Sequence, residues 1–362
     1  MKIFHYLGIL SLYFIFVCFV KDSQNNWDKL GYMACVLVLD GQNEVHKKVY
    51  SVAEKLDFKE DSPYRKEMRL NEKAFNEQIN FYHSRIAYTF TAWIFYKITN
   101  DLNVATYILS VLFSLLSLLL LFHILSKTIG KIHIISLTML PLLFLFKDLI
   151  RYTTPDAMSL FFLMLSGWFY WTQRKTLFAF SVFISILVRP DNVLFAVILV
   201  SCDFILAQPY RLKNFIISFS QIFVLMLIYW GINTIYDAPK LGTLLCHTFI
   251  DKQYFPISSP PLFGYENYIQ ILLQKGRYNV DDLGIRLLLI LVAFFIIFRN
   301  QWILKNRLSV LLLSVFVCIV AKFLLFPEVL ERHFIFYDLV IIVILSCLTV
   351  DLLKKTIRKT SG

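Results

Sequence analysis

The chain is 362 residues long, 58% hydrophobic and 17% aromatic, and 36 basic against 25 acidic residues give it a formal charge of +11. A mean hydropathy of +0.63 and recurrent apolar runs of about 18 residues or more exclude a soluble globular core and the alternating strands of a β-barrel; they predict an all-α, polytopic membrane protein. The surplus positive charge gathers in short connections and the C-terminal tail, a topology signal rather than a nucleic-acid footprint.

Met1–Val20 carries one early lysine and then a Leu/Phe/Ile run. It lacks the small-x-small pattern of a cleaved secretory signal, so a retained first helix is expected. The polar segment from Lys21 to about Tyr82 reads as a folded outer loop, because apolar residues recur at helical spacing: Leu30, Met33, Ala34, Leu37 and Val38 share one face, and Val45, Val49, Val52 and Leu56 another. Arg85–Ile98 (RIAYTFTAWIFYKI) is aromatic, too short to span and flanked by charge, which predicts an interfacial or re-entrant helix. Spanning helices are predicted at about 102–125, 132–147, 157–172, 176–188, 192–207 and 214–235. After a second outer loop at about 236–283, the last three follow at about 284–298, 308–326 and 334–351. With the first helix this makes about ten, in a single integral membrane domain over 1–362 with outer loops at about 21–101 and 236–283.

On that reading Lys127, Lys131, Arg174, Lys175, Arg211, Lys213, Arg299, Lys305, Arg307 and the Lys354–Lys359 cluster all fall on one side, which becomes the cytoplasm, with both termini inside. The two long loops, Arg151–Asp156, Arg189–Asp191 and Pro327–His333 fall together outside. A multi-pass protein of a bacterial inner membrane is the expected setting. The six cysteines show no C-x-x-C spacing, and only Cys35 and Cys246 are expected in loops on one side. Neither a nucleotide-binding glycine loop nor an internal repeat is present.

The chemistry-bearing residues lie on the outer face. Arg151–Asn192 reads as two apolar helices back to back with charged steps at their ends. The second, Thr176–Val188, is about 13 residues long where a bilayer core needs about 20. An Arg189–Asp191 ion pair joining two short apolar runs reads as a polar site at the lip of the membrane; the plainer alternative is a tight turn broken by Pro190, with Arg189 snorkelling to head groups. Asp28, in NNWDKLGYM, is either a functional carboxylate or a helix N-cap. His83 and Arg85 open the aromatic segment, and Glu328, Glu331, Arg332 and His333 precede the last helix. Helix interiors read as almost free of ionisable groups, Lys322 being the clearest exception, which argues against a pore or carrier. No compact ligand cluster points to a metal.

A first helix followed by a large outer loop with an early Asp (WDKLGY), a Tyr/His/Arg segment leading into an aromatic helix (FYHSRIAYTFTAWIFYKI), Thr154-Pro155-Asp156 opening a helix, Arg189-Pro190 closing a short one and Glu331-Arg332 before the last helix together resemble the GT-C superfamily of membrane glycosyltransferases. The resemblance covers nearly the whole chain. It implies a sugar donor carried on polyprenyl phosphate, a glycan or lipid-linked acceptor, an inverting hexosyl or pentosyl transfer at the outer face, and no cofactor. Arginines at head-group depth suit the anionic leaving group, which assigns Arg85, Arg189 and Arg332 to the donor phosphate. The same resemblance makes Asp28 the general base, with His83, Asp156, Asp191 and Glu331 in support. Asp28 is followed by Lys29 where many members carry two adjacent acids, and Asp22 and Asp40 are further candidates for the base. Two other functions remain open: a polymerase of lipid-linked repeat units, using Lys275 and Arg277 of the second loop, and a transporter or flippase.

Overall fold

In a computed structural model, residues 2–20, 26–56, 58, 62–128, 142–206, 212–299 and 307–360 are described. All their regular structure is helical, with no strand among them. The chain runs through α1 (Lys2–Phe19), then five helices of the first loop region, α2 (Trp27–Leu39), α3 (Val45–Lys55), α4 (Pro63–Leu70), α5 (Glu72–His83) and α6 (Ile86–Thr99). The bundle continues with α7 (Leu102–Thr128), α8 (Lys147–Tyr152), α9 (Asp156–Trp171), α10 (Lys175–Val188), α11 (Val193–Leu206) and α12 (Leu212–Ile235). Two helices of the second loop region, α13 (Leu241–Phe249) and α14 (Tyr265–Tyr278), precede α15 (Val280–Arg299), α16 (Arg307–Leu325) and α17 (Glu331–Thr360). The helix expected at 132–147 lies largely outside the described residues.

Four stretches are long and apolar enough to cross a membrane: Leu102–Thr128, Leu212–Ile235, Arg307–Leu325 and Glu331–Leu352. The other apolar helices, including α10, are shorter or carry more charge than a span of about 20 apolar residues requires. Small residues allow the close approach of helices. Ser110, Ser114 and Ser117 are buried on α7, as expected for helices that cannot rely on water to drive them together. The Tyr13 hydroxyl of α1 donates to the Val111 carbonyl at 2.6 Å, and Phe195 of α11 meets Phe336 of α17 edge-on at 4.8 Å.

Local capping sets the loop helices. Asn26, Ser62 and Asn71 accept hydrogen bonds from the first-turn amides of α2, α4 and α5, and Pro63 takes the first helical position, where its missing N–H costs nothing. The aromatic segment expected to lie at the interface forms α6, which packs against α2, α7 and α10. The two loop regions dock on each other: Glu77 accepts hydrogen bonds from the Ile257 and Ser258 amides at 3.0 Å, Gln78 donates to the Gln253 carbonyl at 2.8 Å, and Tyr64 stacks on Tyr254 at 5.7 Å. Both therefore stand at the same end of the bundle.

Cys35 and Cys246 lie in the two loop regions as expected, buried within α2 and α13, and both are free thiols. One expectation needs correction: helix interiors hold more charge than the hydropathy suggested. Arg286 of α15 grips Asp338 of α17 with two hydrogen bonds, at 2.8 and 3.0 Å. Tyr170 of α9 donates to Asp203 of α11, while the Arg307 guanidinium lies 5.1 Å over the Tyr170 ring. A charge whose opposite partner sits on a neighbouring helix is invisible to a window that scores one helix at a time.

Candidate functional site

The site is built where four breaks in the helical pattern meet. The first is the turn into α9. Thr153 adopts a left-handed conformation, φ 50°, which costs a β-branched residue about 1–3 kcal/mol. The Tyr88 hydroxyl of α6 holds that turn by donating to the Thr153 carbonyl at 3.1 Å. The chain then delivers Asp156 to the first turn of α9, where the helix dipole favours an anion. Asp156 is buried. It accepts the Thr154 hydroxyl at 2.5 Å and forms an ion pair with Arg189.

The second break ends α10. Pro190 forces Arg189 into an extended backbone, φ −145° and ψ 111°. A three-residue 3₁₀ turn, Pro190–Asn192, follows, and the Asn192 amide pins it by donating to Ser159 Oγ at 2.8 Å and the Ser185 carbonyl at 2.9 Å. Arg189 points one nitrogen, Nη1, at Asp156 and the Nε/Nη2 edge at Asp191, at 3.1 and 3.2 Å. At the third break, the end of α16, Lys322 Nζ comes within 3.7 Å of Asp191 Oδ2 and donates to the His333 carbonyl at 3.1 Å. The fourth is the start of α17. There Arg332 bridges two carboxylates, Asp28 at 3.2 Å and Asp156 at 3.7 Å, with its guanidinium 5.0 Å from the Tyr152 ring.

Asp28, on the first turn of α2, completes the chain and accepts the Tyr82 hydroxyl at 3.1 Å. Burial, reinforced by the Asp28 charge, holds the Tyr82 phenol well above its ordinary pKa, so it remains a donor. At the other end, burial among its neighbours pushes the Asp191 carboxyl up, and the Arg189 and then Lys322 charges outweigh it to hold Asp191 well below the usual carboxylate range. Asp191 nevertheless keeps 45% of its side chain exposed, against 4% for Asp156. A small pocket adjoins the cluster, lined by Asp156, Arg189, Lys322, Arg332 and His333 with Ser159, Asn192 and Tyr337.

The structure thus brings together Asp28, Asp156, Arg189, Asp191 and Arg332. Three other sequence-derived candidates make no hydrogen bond or ion pair to these five, although the Arg85 charge helps lower the Asp191 carboxyl. Glu331 is exposed on the first turn of α17. His83 sits at the end of α5 with its ring 6.3 Å from Tyr236, and burial holds it below the ordinary imidazole range, so it is neutral at pH 7 and lends an anion no charge. Arg85 donates to Ser84 Oγ at 3.4 Å, and its Nε has no hydrogen-bond partner. Of the alternative bases, Asp22 lies outside the described residues. Asp40 is at the far end of α2, about 18 Å along the helix from Asp28. Hydrogen bonds from Lys97, Gln42 and Trp93 lower its carboxyl to about 2, which spoils it as a base. Asp28 is also not the cap of α2: Asn26 is. Lys29, standing where a second acid was looked for, is fully buried.

Sequence reasoning gave Ser159 and Asn192 no role; His333 was seen only as part of the charged step before the last helix, and Lys322 as a lysine inside an apolar run. Tyr82 was seen only as the tyrosine of the Tyr/His/Arg segment; its pairing with Asp28, 54 residues away, carried no signal. Its position depends on Gly31: a methyl added there would collide with the Tyr82 ring. Gly31→Ala is expected to destabilise the folded protein by about 1–3 kcal/mol, read as a fall in the thermal midpoint in detergent. An unchanged midpoint would mean that Tyr82 is not wedged against α2.

No family model, no curated protein and no solved structure matches the chain.

Proposed function

We propose that the chain is a membrane glycosyltransferase of GT-C type, with about ten helices, which moves a sugar from a polyprenyl-phosphate donor to a cell-surface glycan or lipid-linked acceptor at the outer face. The meeting of Asp28, Arg332, Asp156, Arg189 and Asp191 at one end of an apolar bundle carries this reading. An anionic lipid head group would arrive at that depth, and arginine is the side chain suited to receive it.

In the proposed step Asp28 takes the proton of an acceptor hydroxyl, and the freed oxygen attacks the anomeric carbon from the face opposite the phosphate. The bond between that carbon and the phosphate oxygen breaks, its electron pair stays on the phosphate, and the sugar inverts. Arg332 and Arg189 stabilise the developing charge, an electrostatic task that a preorganised guanidinium performs without moving. Asp156, paired to both arginines, acts as a positioning residue. Deletion of the gene should remove or shorten one surface glycan and cause its lipid-linked precursor to accumulate. Unaltered profiles for both would contradict the proposal.

The topology supports the same reading. Arg307 donates to the Tyr170 carbonyl at 2.8 Å at the opposite end of α9, about 21 Å along the helix from Asp156. Reporter fusions after Lys55 and after Tyr265 are expected outside, and one after Arg358 inside. An inside signal from either loop would break the ten-helix layout.

A further inference from the structure

Asp156 and Asp191 share the guanidinium of Arg189 but differ in every other respect. Asp156 is 4% exposed, stands on a helix, and is held from three sides by Thr154, Arg189 and Arg332. Asp191 is 45% exposed and belongs to a three-residue turn whose backbone Asn192 already secures. Its carboxylate therefore has the freedom to swing out by rotation of its own side chain. The groups it would leave behind are the Nε/Nη2 edge of Arg189, a fork that fits two oxygens of a carboxylate or a phosphate equally well, and the Lys322 ammonium at 3.7 Å. The rings of Phe334 and Tyr337, 5.7 and 5.8 Å from that ammonium, hold it in place from the side of α17.

We propose that Asp191 is an internal counter-anion, occupying between Arg189 and Lys322 the seat that the phosphate of the ligand takes over. The seat deepens the transferase reading and rests on it for the nature of the ligand. It explains why one arginine on a short helix end faces two carboxylates: the buried one fixes the guanidinium, and the exposed one neutralises its outward edge until an anion arrives. Loading thereby exchanges one charged partner for another, so the cluster never carries an uncompensated arginine and lysine near the membrane.

The probe is inorganic phosphate, titrated by calorimetry into the full-length, detergent-purified protein at constant ionic strength. Asp191→Asn removes the competitor and should tighten phosphate binding about tenfold, the scale of a charge-assisted hydrogen bond. Lys322→Gln in that background should weaken it by about the same factor. Glu328→Gln removes a charge from the same rim without touching the seat, and should change affinity by less than about twofold. Asp191→Ser is made alongside in case the asparagine disturbs the turn, and each variant must elute as a single monodisperse peak. Nanodiscs containing phosphatidic acid rather than phosphatidylcholine identify the source: displacement of inorganic phosphate by phosphatidic acid supports the seat for a lipid-borne phosphate, and its absence supports the seat for a soluble one. Unchanged or weakened binding in both Asp191 variants, or no binding by native protein and variants alike, overturns the proposal. Such a result would leave surface-glycan loss in a deletion strain intact, so the two readings fail separately.

Discussion

Asp28→Asn is expected to reduce sugar transfer by about 10²- to 10⁴-fold, the usual loss when a positioned general base is removed, while the protein stays folded. The expectation of a folded protein comes from the cap of α2. Asn26, not Asp28, accepts the first-turn amide, and its own amide group ties α2 to the Tyr152 carbonyl. Tyr82 and Arg332 each use a separate oxygen of Asp28, so an asparagine keeps one of the two contacts and gives up the ion pair, while Arg332 still has Asp156 at 3.7 Å as a partner. Asn26→Ala is the opposite experiment: it removes the cap, costs about 1 kcal/mol of stability, and leaves the carboxylate in place. Transfer by membranes containing each variant, set beside its thermal midpoint in detergent, separates the two residues. Full transfer by Asp28→Asn would move the base to another carboxylate of the cluster, Asp156 or Asp191, or to Asp22.

Arg189→Ala is expected to destabilise the protein by about 3–5 kcal/mol, because it leaves the buried Asp156 with Arg332, 3.7 Å away, as its remaining cationic partner. The loss would appear as poor insertion and low folded yield, and would mask any catalytic role. Replacing both partners together, Asp156→Leu with Arg189→Met, removes the uncompensated charge and should restore much of the stability, since an apolar pair of similar volume often substitutes for a buried ion pair at little cost. Transfer should remain abolished in that double variant. Recovery of stability without transfer identifies the Asp156–Arg189 pair as functional; recovery of both would reduce it to a structural ion pair. Arg332→Lys tests the second arginine more gently: the charge stays, but a single ammonium cannot span Asp28 and Asp156 as the guanidinium does, so transfer should fall in a protein that still inserts.

Much of the scaffold was legible in the sequence because helix periodicity is local. Leu30, Met33, Ala34 and Leu37 were read as one buried face of a loop helix and are buried on α2, whereas Val38, assigned to the same face, is 45% exposed. The short run ending at Val188 and the ion pair at Arg189–Asp191 were likewise visible, since Pro190 and two adjacent charges mark the break directly. What joins the breaks was not. Asp28 and Arg332 are 304 residues apart in the chain, and no spacing rule links them. Asp156 was assigned only a supporting part, although the structure makes it the shared partner of both arginines. His83 and Arg85, a basic pair before an aromatic helix, are not directly bonded to that cluster: burial leaves His83 neutral, and Arg85 donates to Ser84 while its charge helps lower the Asp191 carboxyl. The paired charges inside α15 and α17 escaped for a related reason, since Arg286 and Asp338 neutralise one another only once the helices are side by side.

The most direct measurement places the purified protein in proteoliposomes with lipid-linked sugars extracted from its own cells and follows the bond between sugar and phosphate. Glycosyl transfer predicts that the sugar leaves its lipid, that free polyprenyl phosphate appears in equal amount, and that the reaction stops in Asp28→Asn. Passage of the intact lipid-linked sugar across the bilayer, with that bond unbroken and Asp28→Asn as active as the native protein, would contradict the account.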